Sequence, residues 1–123
     1  MADRTAFVFA GGGSLGAVQV GMLQVLLEAG VRPDFVVGAS VGAINAAYFA
    51  GTPDLDGVAR LARLWEGLRR EDVFPFTPAS AVRLLLRRDS LVDPGRLRQL
   101  VAAHLAFGRI EDARIALHVM ATD

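Results

Sequence analysis

Gly38-Ala39-Ser40-Val41-Gly42 is the stretch that decides how the chain reads. Before it stands Phe35-Val36-Val37, a β-branched and aromatic run of the kind that forms a buried strand. After it, Ala43-Ile44-Asn45-Ala46-Ala47-Tyr48-Phe49-Ala50 has no breaker until Gly51-Thr52-Pro53, and reads as a helix. A serine flanked by glycines at a strand-to-helix junction is a nucleophile elbow. The turn is tight enough to require small flanking residues, and it holds the hydroxyl out at the helix N-terminus. The partial positive charge there favours a developing alkoxide or oxyanion. Ser40 is therefore the first candidate for a catalytic nucleophile, with Gly38 and Gly42 as its supports.

Working back toward the N-terminus, Ala6-Phe7-Val8-Phe9-Ala10 is a short apolar run ending at glycines, as expected of a buried strand in a parallel sheet. Gly11 to Gly16 (GGGSLG) reads as a loop, and a helix is expected from about Leu15 to Ala29. Its buried face is read as Val18, Met22, Val25 and Leu26, widened by Leu23 and Leu27. Gly30 and Pro33 end it. Thr5 to Leu27 carries no charge and is long enough to span a bilayer. The glycines in its middle favour strand, loop and helix instead. Strand, helix, strand and helix with short connections imply right-handed crossovers and a parallel α/β sheet.

Acyl transfer from a serine needs backbone N–H groups aimed at the oxygen that becomes an oxyanion. A triglycine loop after the neighbouring strand can supply them, because glycine lets the backbone turn freely and approach a substrate closely. Gly11, Gly12 and Gly13 are thus candidates for the oxyanion hole, and Gly16 completes the motif. Both loops belong at the C-terminal edge of the sheet, where open α/β folds bind ligands. The same loop also fits G-x-G-x-x-G, the dinucleotide-binding pattern. That alternative wants an acidic residue at the end of the second strand. Asp34 precedes the strand, and Gly38 takes the end position.

Farther along, a third helix is expected from Asp54, as N-cap, to about Leu68, burying Leu55, Val58, Leu61, Ala62, Leu64, Trp65 and Leu68. Glu71 to Pro78 reads as an ordered loop, Ala79 to Arg88 as a short amphipathic helix, and Leu91 to Pro94 as a turn. Pro94 opens a helix running to about Phe107 and stopped by Gly108. Arg114 to Ala121 reads as a third strand. A strand running almost to the last residue is an odd end for an α/β domain. Residues 1–123 are therefore expected to be the N-terminal part of a single domain, truncated at its C-terminal side.

The two glycine motifs together resemble those of the patatin-like phospholipases. That family pairs a Gly-Gly-Gly-x-Arg/Lys-Gly loop after its first strand with a Gly-x-Ser-x-Gly elbow about one helix and one strand later. The stretch Gly21 to Gly30 is similar to the family's first helix, and Val119 to Asp123 to a strand found in bacterial members. The resemblance implies a three-layer α/β/α fold and a serine acyl hydrolase acting on lipid or phospholipid esters. It implies no cofactor and no metal. Leu15 departs from the family's Arg or Lys. The family's catalytic Asp lies in an Asp-Gly-Gly or Asp-Gly-Ala motif well beyond the position of Asp123. The single Asp-Gly here, Asp56-Gly57, is followed by Val58 in the third helix and comes too early. The resemblance thus gives this chain a nucleophile without its base, and an expectation that these residues alone are inactive.

Composition sets the remaining bounds. The 123 residues suffice for a buried core, 53% are hydrophobic and 21% charged, and the net charge is zero. No nucleic-acid partner is expected on that balance. All thirteen basic residues are Arg, without a cluster dense enough for a phosphate track, and cysteine is absent. Met1-Ala2-Asp3-Arg4 lacks a signal-peptide n-region, so a cytoplasmic location is expected, with peripheral contact at a membrane surface as its extension. Phe74-Pro75-Phe76 and the pairs Arg69-Arg70 and Arg87-Arg88 are the stretches that could touch lipid, though a core plug and solvated surfaces are the simpler readings. His104 and His118 read as structural or surface histidines, since neither stands in a triad motif and the pair has no metal-ligand spacing.

Overall fold

A computed structural model of the chain describes residues 3–68 and 94–121. Three apolar segments form a parallel sheet in the order β1 (Ala6–Phe9), β2 (Phe35–Ala39) and β3 (Ala116–Met120). The register sets Phe7 beside Val36 and Val36 beside Leu117, so the buried side chains of the three strands share one face. The strand starts are tied by a reciprocal pair: Thr5 N–H donates to the Asp34 carboxylate at 2.7 Å, and Asp34 N–H donates to the Thr5 carbonyl at 2.8 Å. Asp34 therefore serves the sheet at the end opposite the glycine loops.

Helix α1 (Gly16–Glu28) joins β1 to β2, and α2 (Val41–Gly51) follows β2 directly. Helix α3 (Leu55–Gly67) is capped by Asp54, whose carboxylate accepts from Gly57 N–H at 2.8 Å. Helix α4 (Pro94–His104) opens on its proline and ends four residues before Gly108, earlier than the sequence suggests. Small residues explain the position of α2. Ala46 and Ala50 are fully buried, which lets the helix axis approach all three strands, while Phe49 stacks on Phe7 at 6.0 Å between ring centroids. Arg114 N–H then bonds the Ala50 carbonyl at 2.9 Å, delivering the chain into β3.

Helix α1 bears out Leu23, Leu26 and Leu27 of the expected face and corrects Val18, Met22 and Val25. Val20, Leu23 and Leu27 are buried against α2 and α3, whereas Val18, Met22 and Val25 are about 60% exposed. The helix is apolar almost all round, so its periodicity does not choose a face. The close approach at Gly16 chooses it: a β-carbon there would sit 2.8 Å from Trp65 and 3.0 Å from Val41. The stripe Gly16, Val20, Leu23 and Leu27 is the one that meets the neighbouring helices.

The opposite face of the sheet is open, with Ala6, Val8, Ala116 and His118 exposed. On it Phe35 lies under the Arg4 guanidinium and edge-on to the His118 ring. The α/β class and parallel sheet agree with expectation, and the described residues build two of the three expected layers. The loop at 71–78, the helix at 79–88, Phe74-Pro75-Phe76, Arg69-Arg70, Arg87-Arg88 and most of the turn before Pro94 lie outside the described residues. The uncharged stretch from Thr5 is strand, loop and helix, and no helix among the described residues is long and apolar enough to cross a membrane.

Candidate active site

The register brings Phe9 beside Gly38, so the chain leaving β1 at Ala10 and the chain leaving β2 at Ser40 emerge together at the C-terminal edge. Between the last residue of β2 and the first of α2 the backbone reverses in one residue. Ser40 has φ 54° and ψ −131°, and is the one non-glycine residue with positive φ among those described. Holding an L-residue there costs on the order of 1–3 kcal/mol. The neighbouring glycines show why the turn is possible. A β-carbon at Gly38 would lie 2.5 Å from the Gly42 carbonyl oxygen, and one at Gly42 would run into the Phe9 and Ala10 carbonyls. No side chain fits at either position without moving backbone.

The strained turn aims the serine outward. Ser40 is exposed, and although it occupies the N-cap of α2 its side chain makes no capping hydrogen bond. Its carbonyl instead accepts from Ala43 N–H at 2.9 Å. Ser40 thus stands at the N-terminal end of α2, where the helix carries its partial positive charge. Gly11 lies against this group: a methyl built on it would be 3.2 Å from Ser40 Cβ and 3.7 Å from Oγ. Gly12 (φ 154°) and Gly13 (φ 56°) then turn the loop through conformations that favour glycine, and a 3₁₀ turn over Gly13–Leu15 is closed by Leu15 N–H on the Gly12 carbonyl at 3.1 Å. Leu15, at the position of the expected basic residue, is exposed.

Behind the loop lies a polar group that the sequence does not announce. Asn45 is completely buried, yet each of its amide atoms is paired. It donates to the Gly16 carbonyl at 2.9 Å and to Gln19 Oε1 at 2.9 Å, and accepts from the Trp65 indole N–H at 2.9 Å. Gln19 in turn donates to the Ala10 carbonyl at 2.7 Å. The signal available in the sequence is an asparagine in an otherwise apolar, small-residue helix, five residues after the elbow serine.

The other candidates fall elsewhere. His104, on α4, shares a hydrogen bond with the Leu100 carbonyl one turn back, and His118 packs on Phe35 on the open face of the sheet. Asp56 lies in the first turn of α3. Among the described residues no three His, Asp or Glu side chains gather into a metal-binding group. A groove between α2, α3 and α4, lined by Tyr48, Leu61, Leu64, Leu100 and Ala103, is at the far end of α2 from Ser40. The edge of the sheet is the location with chemical potential.

Comparison with known proteins gives the same direction. Residues 7–122 match the patatin-like phospholipase family. A patatin-like phospholipase domain-containing protein of Caenorhabditis elegans is 38% identical over 71 residues, which is 58% of this chain and 6% of that protein. The neuropathy target esterases of Drosophila melanogaster and Drosophila erecta are each 40% identical over 63 residues, 51% of this chain and 4% of theirs. The chain thus spans only about one-twentieth of the length of these relatives. No solved structure matches it. A family match that runs across both glycine turns and all three strands leaves one conclusion: the chain belongs to the patatin-like phospholipase family.

Proposed function

We propose that the protein is a serine acyl hydrolase acting on lipid ester bonds, with Ser40 as nucleophile and the Gly11–Gly13 loop as oxyanion hole. The observation that carries the reading is the exposed Ser40 hydroxyl, held by a strained backbone at a helix N-terminus with Gly11 directly beside it. Ser40 Oγ attacks the ester carbonyl while its proton passes to a base. The tetrahedral oxyanion is held by loop N–H groups together with that of Val41, and collapse releases the alcohol with the proton. Water then attacks the acyl-serine, giving the free acid and restoring Ser40.

The base is the part these residues do not offer. In the family resemblance it is an Asp in an Asp-Gly-Gly or Asp-Gly-Ala motif, and no position of this chain has that motif. The reading therefore assigns the base to sequence outside residues 1–123 and expects these residues alone to be inactive. The names esterase and phospholipase borne by the relatives support an ester substrate with a lipid acyl chain. Contact with a membrane surface during turnover follows from such a substrate.

A fluorophosphonate probe tests this on the intact protein. Labelling at Ser40 and hydrolysis of a lipid ester are expected, both lost in Ser40→Ala. Labelling or esterase activity that survives Ser40→Ala refutes the proposal. Saturable NAD binding abolished at Gly13, in a protein that never labels, would instead favour the dinucleotide reading of the loop.

A further inference from the structure

The Gly11–Gly16 loop is tethered at both flanks by side chains whose common anchor is the helix that carries Ser40. The hydrogen-bond directions are fixed by chemistry. The Trp65 indole N–H can only donate, so Oδ1 of Asn45 faces it; the Gly16 carbonyl can only accept, so Nδ2 faces that. The second Nδ2 proton goes to Gln19 Oε1, which leaves Gln19 Nε2 to donate to the Ala10 carbonyl. Ala10 immediately precedes Gly11, and Gly16 closes the motif, so the two tether points bracket the loop.

Asn45 follows Ser40 by five residues on α2. Loop and nucleophile therefore share one rigid reference. A buried asparagine among Ala46, Phe49 and Ala50 is not the cheapest way to fill a core, because burying an amide is unfavourable unless every polar atom is paired. Here two of its three bonds lead to the loop, one directly and one through Gln19, whose own bond to Ala10 is the shortest of the network.

We propose that Asn45 and Gln19 are positioning residues for acyl transfer, clamping both flanks of the glycine loop to the Ser40 helix so that the loop donors stay in register with the nucleophile. The proposal rests on the reading of Ser40 and the loop as an acyl-transfer site. Misplacing a reacting group by about 1 Å costs on the order of 10²-fold in rate, so a loosened clamp acts on turnover.

The experiment uses the intact protein, the variants Gln19→Met and Asn45→Asp, and a short soluble p-nitrophenyl ester. Gln19→Met keeps length and volume at a half-buried position while removing the donor to Ala10. Asn45→Asp keeps the acceptor for Trp65 but turns an oxygen toward the Gly16 carbonyl. Fluorophosphonate titration counts competent Ser40 sites, so kcat is expressed per titrated site. A role confined to folding lowers the number of sites and leaves their kcat unchanged.

The expected result is a fall in per-site kcat of about 10–100-fold with KM within about twofold of wild type. Per-site kcat within about threefold of wild type in Gln19→Met overturns the clamp, whether or not Asn45→Asp folds. A wild-type protein that neither labels nor hydrolyses the ester overturns the acyl-transfer reading itself, and is distinguishable because the comparison then fails before any variant is made.

Discussion

Replacing Ser40 by glycine should make the fold more stable while removing the hydroxyl proposed to react. The backbone at φ 54° and ψ −131° is costly for any residue with a β-carbon, by roughly 1–3 kcal/mol, and glycine adopts it freely. Glycine also loosens the unfolded chain, which offsets about 0.5–1 kcal/mol of the gain. The Ser40 side chain is exposed and does not cap α2, so its removal forfeits almost nothing in packing or hydrogen bonding. The net expectation is a stabilisation of about 1 kcal/mol for Ser40→Gly, and no more than about 2.5 kcal/mol. Ser40→Ala is the control: it retains the β-carbon and the strain, and should stay within about 0.5 kcal/mol of wild type.

Urea unfolding of the three proteins, followed by the emission of the single tryptophan, Trp65, is the assay. With an m-value of about 2 kcal/mol/M, the Ser40→Gly midpoint should rise by roughly 0.5 M, and no more than about 1.25 M, at unchanged slope. In the intact protein, fluorophosphonate labelling should vanish in both variants. A Ser40→Gly protein no more stable than Ser40→Ala would refute the claim that the turn stores strain at Ser40.

Three further outcomes follow from the packing. Gly42→Ala drives a methyl into the Phe9 and Ala10 carbonyls, where only backbone can yield, and should destabilise by about 3 kcal/mol or more; a urea midpoint near wild type would contradict that geometry. Trp65→Phe removes the indole donor and strands the buried Asn45 oxygen, a loss of about 1–3 kcal/mol that denaturant unfolding followed by circular dichroism should register. Tyr48, whose hydroxyl donates to the Leu100 carbonyl, has its phenol pKa pushed by burial up to about 12 from 10. The unfolded phenol ionises first as pH rises, so this contribution to stability is intact below pH 10 and is lost between pH 10 and 12. Absorbance at the phenolate band of this sole tyrosine should titrate near 12 in the folded protein, and a midpoint at 10 would exclude the burial effect.

The elements were most legible where one physical requirement dominated. Asp54 before an amphipathic stretch announced α3 and its cap, because a carboxylate there satisfies an otherwise unpaired amide. Pro94 announced the start of α4, since a first-turn residue needs no N–H. In α1 no such requirement acted within the helix. Its apolar residues surround the axis, and of the expected face Val18, Met22 and Val25 are exposed while Leu23, Leu26 and Leu27 pack inward. The site divided in the same way. The turn chemistry of the two glycine motifs was legible, while Asn45 and Gln19 were not, because hydrogen bonds between residues 26 apart leave no local pattern.

The sequence by itself determined that a strand would end in a turn too tight for side chains at residues 38 and 42, that Ser40 would stand at its apex, and that a second glycine loop would follow the neighbouring strand. These are local demands of backbone geometry, written in residue type. Tertiary structure alone decided that Gly11 rests against the Ser40 side chain, that α1 turns the stripe through Gly16 inward, and that Asn45 links three helices behind the loop. Each depends on side chains from distant elements competing for the same space and the same hydrogen-bond partners, and that competition is resolved only when the helices pack.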